Sequence, residues 1–152
     1  MGDEERIMIR VAHGMEEISA AEWDACANPP GASYNPFISH AFLSALEESG
    51  SATPRTGWAP YHLVIEDGTD RIAGCMPMYL KNHSQGEYVF DYGWADAFER
   101  AGGRYYPKLQ VSVPFTPATG RRLLAKPGPA QAHIEKQLLA GAIEAARQLD
   151  VS

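Results

Sequence analysis

The sequence is poor in cysteine, in basic residues and in long apolar runs, and each shortage excludes a class of protein. Of 152 residues only Cys26 and Cys75 are cysteines, too few and too far apart for a disulfide framework or a short zinc motif. Lys and Arg number 13 against 19 Asp and Glu, a net charge of −6, so a general nucleic-acid-coating role is not expected. No apolar run approaches the roughly 18 residues of a membrane-crossing helix. The start, MGDEERIMIR, offers neither a signal-peptide core nor the Ser or Thr that a myristoylation signal wants at position 6. These points together predict a cytoplasmic chain with reduced thiols. G-x-S-x-G and G-x₄-G-K-[ST] are both missing, against a hydrolase elbow and a P-loop. His13, His40, His62, His83 and His133 show no metal spacing, so no metal site is expected.

What is present is an ordinary globular mixture, 45% hydrophobic and 10% aromatic, and long enough to bury a core as a single domain over residues 1–152. Ile7, Ile9 and Val11 alternate with Met8 and Arg10 as in a half-buried strand. Ser19, with Glu22 three residues on, reads as a capping box opening a helix that carries Trp23 and Cys26 and ends at Asn28-Pro29-Pro30-Gly31. Ser39 caps a second helix through Phe42, Leu43 and Leu46. Residues 51–57 read as a loop. Tyr61, Leu63 and Ile65, the Asp67-Gly68-Thr69-Asp70 turn and a return strand over Ile72–Leu80 predict a hairpin, with Pro77 at an edge or bulge. Glu87–Phe90 suggests a short strand, Ala95–Ala101 a short helix, and Leu109–Val113 a strand broken by Pro114 and Pro117. Ile134, Leu138, Ala142, Ala145 and Leu149 fall at helical spacing. Both cysteines are expected to be buried structural thiols.

The order predicts a mixed α/β fold: a sheet flanked by helices. A strand followed by a long helix is most of a crossover that needs a returning strand. The chain is therefore read as a fragment of a longer protein, incomplete at its C-terminal end, or as one whose open edge another chain covers in a homo-oligomer; the alternative is a terminal helix that simply covers the sheet.

Two clusters carry candidate chemistry. Past the proline-broken strand, Thr116, Thr119, Gly120, Arg121 and Arg122 bring hydroxyls, a flexible backbone and two guanidiniums together, a combination suited to a phosphate; the alternative is a solvated loop with two arginines lying along the surface. Upstream, the stretch from Phe90 to Asp96 lies near Tyr105, Tyr106 and Lys108. Trp94, Asp96, Tyr105, Tyr106 and Lys108 are candidates for a substrate-binding surface, with Asp91, Asp96 or Glu99 as a base; the alternative is a core aromatic cluster with capping aspartates. No catalytic residue is singled out.

The stretch DYGWADAFERAGGRYYPKLQVSVPFTPATGRRLL, residues 91–124, resembles a family of bacterial FemAB-like proteins and is similar in order to the acyl-CoA N-acyltransferase (Gcn5-related N-acetyltransferase) superfamily. NPFISHAFLSALEESGS, residues 35–51, is similar to that family's first helical region. The resemblance implies an N-acyltransferase-like sheet in which a strand, here Leu109–Val113, splays from its neighbour to admit an activated donor. The loop from Thr116 to Arg122 would hold the donor's pyrophosphate, ahead of a helix over Ala130–Leu149. The loop departs from the superfamily's Q/R-x-x-G-x-G/A pattern, keeping only Gly120 followed by two arginines. Acyl-CoA or aminoacyl-tRNA is the implied donor and a peptidoglycan precursor the implied acceptor, although the net charge does not favour tRNA. The implied function is acyl or aminoacyl transfer to an amine; the alternative is a non-catalytic module recognising a cell-wall precursor or a partner protein.

Overall fold

The computed structural model describes residues 8–69, 71–83 and 92–152. The strand expected over Glu87–Phe90 and the candidate base Asp91 lie outside them. Seven strands and four α-helices are found among the described residues: β1 Met8–Ala12, α1 Ala20–Ala27, α2 His40–Glu48, β2 Trp58–Pro60, β3 His62–Glu66, β4 Ile72–Met76, β5 Tyr79–Lys81, α3 Tyr92–Arg100, β6 Lys108–Gln110, β7 Leu124–Ala125 and α4 Gln131–Leu149. This is a mixed α/β fold. Its strands divide into two sheets, ordered β1-β3-β4-β7 and β2-β5-β6, and every pairing in them is antiparallel.

The four-stranded sheet is covered on both faces. Alternation along β3 and β4 sends Val64 and Cys75 into a cluster with Trp23 and Cys26 of α1 and Leu43 of α2. Leu63, Ile65 and Met76 point the other way, against Ile134, Leu138 and Ala145 of α4. A strand buried on both faces reads as a continuous apolar run, and His62–Ile65 are all buried. Gly74 is the point of closest approach. A Cβ there would meet Ile134 Cγ2 at 2.5 Å, so glycine lets α4 sit on the sheet.

The helix caps hold with one change. Ser19 and Ser39 each accept a backbone N–H three residues on, from Glu22 and Phe42. Glu22 does not close a capping box. Its carboxylate accepts the N–H of Ile72 at 2.7 Å and ties α1 to the first residue of β4. The Trp23 indole donates to Ile38 O at 2.8 Å, which satisfies its one polar atom within the core. Both cysteines are free and fully buried, as expected.

The hairpin is present but bends between sheets. The expected return strand over Ile72–Leu80 breaks at Pro77-Met78, because proline has no N–H to continue the ladder. Tyr61 N–H donates to Met78 O at 2.8 Å at this corner, and both arms of the hairpin pass from the four-stranded into the three-stranded sheet. Trp58–Pro60, which has too few residues to show a period, is thereby a strand. The strand expected over Leu109–Val113 pairs only through Lys108–Gln110, antiparallel to β5, and leaves the ladder ahead of Pro114. On its other side Leu109 N–H donates to Ser152 O at 2.8 Å, so the backbone after α4 comes back alongside β6. The helix expected over Ala95–Ala101 begins three residues earlier, at Tyr92. It ends where Gly102 takes a left-handed φ of +90°, which glycine adopts without steric cost.

Candidate functional site

The three-stranded sheet carries the unusual side chains. Directly opposed residues in an antiparallel sheet share a face, and so do residues two apart on one strand. Trp58, Lys81 and Lys108 are opposed in one row, and Pro60, Tyr79 and Gln110 in the next. One face thus presents two lysines side by side, and both are buried, Lys81 completely. A buried ammonium needs compensating groups. Part of that compensation is aromatic. Lys81 Nζ lies 3.9 Å from the Trp58 ring centroid. Lys108 Nζ lies 4.5 Å from the Tyr105 ring and 5.1 Å from that of Tyr106, and donates to the Tyr105 hydroxyl at 3.2 Å.

The rings brace one another edge to face. Trp58 meets Tyr79 at 5.4 Å, Tyr79 meets His62 at 5.1 Å, and Tyr105 meets Tyr106 at 4.9 Å. Phe115 closes over Trp58 at 5.4 Å from a left-handed backbone, φ +59°, a conformation that costs a non-glycine residue on the order of 1–3 kcal/mol and persists only where its surroundings enforce it.

Of the candidates for the substrate side, the structure brings Tyr105, Tyr106 and Lys108 together. Trp94 and Asp96 lie on α3, whose Phe98 ring meets Tyr105 at 6.0 Å: Trp94 is 77% exposed, and Asp96 faces Arg100 one turn on, at 3.9 Å. The Thr116–Arg122 loop is held by its own backbone. Thr116 donates to Pro114 O at 3.1 Å, and Arg122 donates to Ala118 O at 2.7 Å and to Arg121 O at 3.2 Å. Partial burial lowers the Arg122 pKa from its ordinary value. One Arg121 amino group reaches across to the last carbonyls of α1, Cys26 O at 3.3 Å and Ala27 O at 3.1 Å, the negative end of that helix. Thr119 and Gly120 lie exposed on the same loop, and Gly120 passes close to the Asn35 amide.

The sequence reading missed Trp58, Tyr79 and Lys81. The one signal available was a lysine two residues after a tyrosine in an otherwise apolar strand, where strand alternation puts both on one face. Among the described residues no group of three His, Cys, Asp or Glu side chains is placed to hold a metal ion. No helix among them is long and apolar enough to cross a membrane.

A helix-covered sheet joined to a smaller sheet in which buried lysines lie against aromatic rings defines a mixed α/β domain. A family model described as peptidoglycan biosynthesis/recognition, FemAB-like, matches residues 14–152. The chain belongs to the FemAB-like family, and membership implies a role in peptidoglycan biosynthesis or recognition. No curated protein and no solved structure matches the chain.

Proposed function

We propose that this domain transfers an activated acyl or aminoacyl group to an amine of a peptidoglycan precursor. The observation that carries the reading is the family match over residues 14–152. In this reading Tyr105, Tyr106 and Lys108 meet the precursor: half-buried rings stack on sugar or peptide planes, and the ammonium attracts a carboxylate or phosphate. Trp94 and Asp96 belong to the same side in the proposal. The donor, an acyl-CoA or an aminoacyl-tRNA, contacts the Thr116–Arg122 loop. A guanidinium has five N–H donors, so Arg121 and Arg122 keep some for a phosphate while holding their backbone carbonyls. The neutral amine attacks the activated carbonyl, the C–S bond of the acyl-CoA or the C–O ester bond of the aminoacyl-tRNA breaks, and the released CoA thiol or tRNA ribose hydroxyl takes up the proton that the amine loses; the protein contributes chiefly by positioning the two reactants.

A second reading, a non-catalytic module that recognises the precursor, is favoured by one observation: both loop arginines already donate to backbone oxygens. Radiolabelled acyl transfer from acyl-CoA and from aminoacyl-tRNA to a muropeptide separates the two. Transfer that falls at least tenfold in Lys108→Gln supports the enzyme. Muropeptide binding with no transfer from either donor supports the module and overturns the transferase.

A further inference from the structure

The two edges of the four-stranded sheet differ. β7, at one edge, has two residues; β1, at the other, has five, and among the described residues it pairs only with β3. An edge strand offers a row of backbone N–H and C=O groups to another strand, and folds usually guard it with a proline, a bulge or an outward charge. β1, MIRVA, has no proline and an unshifted register, and its one charge, Arg10, is drawn back to Glu66 on β3. Met8, at its start, is 64% exposed.

The helix layer is unfinished at the same edge. α4 crosses the sheet obliquely. A Cβ on Gly74 of β4 would meet Ile134, and one on Gly141 would meet Leu63 of β3 at 3.3 Å and Ile9 of β1 at 3.5 Å. The outer flank of α4 therefore stands over the β1 edge. Near it Ile143 is 64% exposed, and a hollow of about 330 Å³ opens between helix and strands, walled by Val11, Tyr61, Gly141 and Glu144. Glu144 is paired with Arg147 at 2.6 Å, so this flank carries both signs and does not repel its own copy.

We propose that a second copy of this chain docks on this edge, β1 antiparallel to β1 about a twofold axis, with the two α4 helices side by side on one face of a continuous sheet. A twofold axis normal to the sheet keeps equivalent faces together and makes the contact self-complementary and closed. The spacing suits a copy. α4 lies over the boundary between β3 and β1, one strand spacing from such an axis, so the two helix axes would stand about 10 Å apart. Helices pack at about 8–10 Å. The register is centred on Ile9, because centring it on Arg10 would set like charges directly opposite. Arg10 then faces Met8 of the copy, and each Ile143 meets the hollow of the other chain. The proposal concerns assembly and does not depend on acyl transfer.

The test is sedimentation velocity of the 152-residue chain over a concentration series. The expected result is a reversible species of twice 16.6 kDa. Association should weaken about tenfold or more in Ile143→Glu, which puts a charge into the contact while leaving the circular dichroism spectrum unaltered. Cross-linking tests the register. Cys26 and Cys75 are fully buried, so an introduced surface thiol is the one open to oxidation. Ile9→Cys should give a covalent dimer with copper phenanthroline, and Tyr34→Cys, exposed in the loop after α1, should not. The cross-link serves if Ile143→Glu fails to fold. A monomer throughout the series, assemblies larger than two chains, a dimer unmoved by Ile143→Glu, or equal cross-linking of the two cysteine variants overturns the proposal.

Discussion

The two sheets are stabilised by different chemistry. The four-stranded sheet lies between α1 and α2 on one face and α4 on the other, and its buried side chains are almost all apolar. The three-stranded sheet has a smaller apolar cluster, Ala52, Trp58 and Tyr79 with Leu46 and Phe115 against them. Its shared face holds two lysines and a set of rings, with Trp58 and Tyr79 at its centre. Apolar burial is non-directional and tolerates substitution by similar volume, whereas a buried ammonium depends on specific partners. The first sheet is therefore the scaffold. The second is where the fold accepts polar groups at some cost, as sites that handle polar ligands do.

The largest effect is expected on the scaffold. Leu138→Ala removes a fully buried side chain from between α4 and β3 and should destabilise the protein by about 3 kcal/mol, measured by urea unfolding. Muropeptide binding should be unchanged where the variant is folded. A binding loss as large as the stability loss would show that the two regions are coupled and break the comparison.

Lys81→Met tests the other side. It keeps the length of the stem and removes the ammonium from over Trp58, a desolvated contact worth about 2 kcal/mol. The expected result is a destabilisation of about that size by urea unfolding. A neutral or stabilising outcome would mean that this sheet accepts apolar filling as the first does, and the distinction drawn between them would fall.

Tyr79→Phe should act with the opposite sign. It deletes a buried hydroxyl that has no partner, and a gain of about 1 kcal/mol is expected. It should also change the alkaline limb of the stability curve. Burial first, and then the Glu47 charge, pushes the Tyr79 phenol well above its ordinary value. A folded pKa above the unfolded one gives stability that is complete below about pH 10 and is lost as pH rises towards the folded value, by about 1.4 kcal/mol per pH unit. The wild-type curve should fall more steeply than that of Tyr79→Phe above pH 10. Parallel curves would contradict the assignment.

The scaffold was legible in the sequence because its signals are periodic. The alternation around Leu63 and Ile65, the serine caps at Ser19 and Ser39 and the spacing from Ile134 to Leu149 each extend over several residues, and each forms the expected element. The second sheet was legible only in part: Tyr79 and Leu80 fall within the expected return strand and Leu109 and Gln110 within another, whereas Trp58–Pro60 and the division into two sheets were not expected. Trp58–Pro60, Tyr79–Lys81 and Lys108–Gln110 have three residues each, β7 has two, and such lengths hold no period. Pro77 was expected at an edge or a bulge of one strand, whereas it marks the passage from one sheet to the other. Tyr105, Tyr106 and Lys108 could be grouped because they are neighbours in the chain. Glu47, His62 and Tyr79 could not, because only the fold brings residues so far apart into one cluster.

The smallest effect concerns the link between the Thr116–Arg122 loop and the scaffold. Arg121 donates to the carbonyls of Cys26 and Ala27 at the C-terminal end of α1, where a cation is worth about 0.3–1 kcal/mol. Arg121→Ala should therefore cost roughly 0.5 kcal/mol in urea unfolding. If the loop also contacts donor phosphates, CoA affinity should fall at least tenfold in the same variant, about 1.4 kcal/mol and more than the stability change explains. Arg122→Ala separates the two roles, because its bonds stay within the loop: it should lower CoA affinity without loosening the contact with α1. A small stability loss with CoA binding retained in both variants would assign the arginines to holding the loop and α1 together, and would remove the donor role from them.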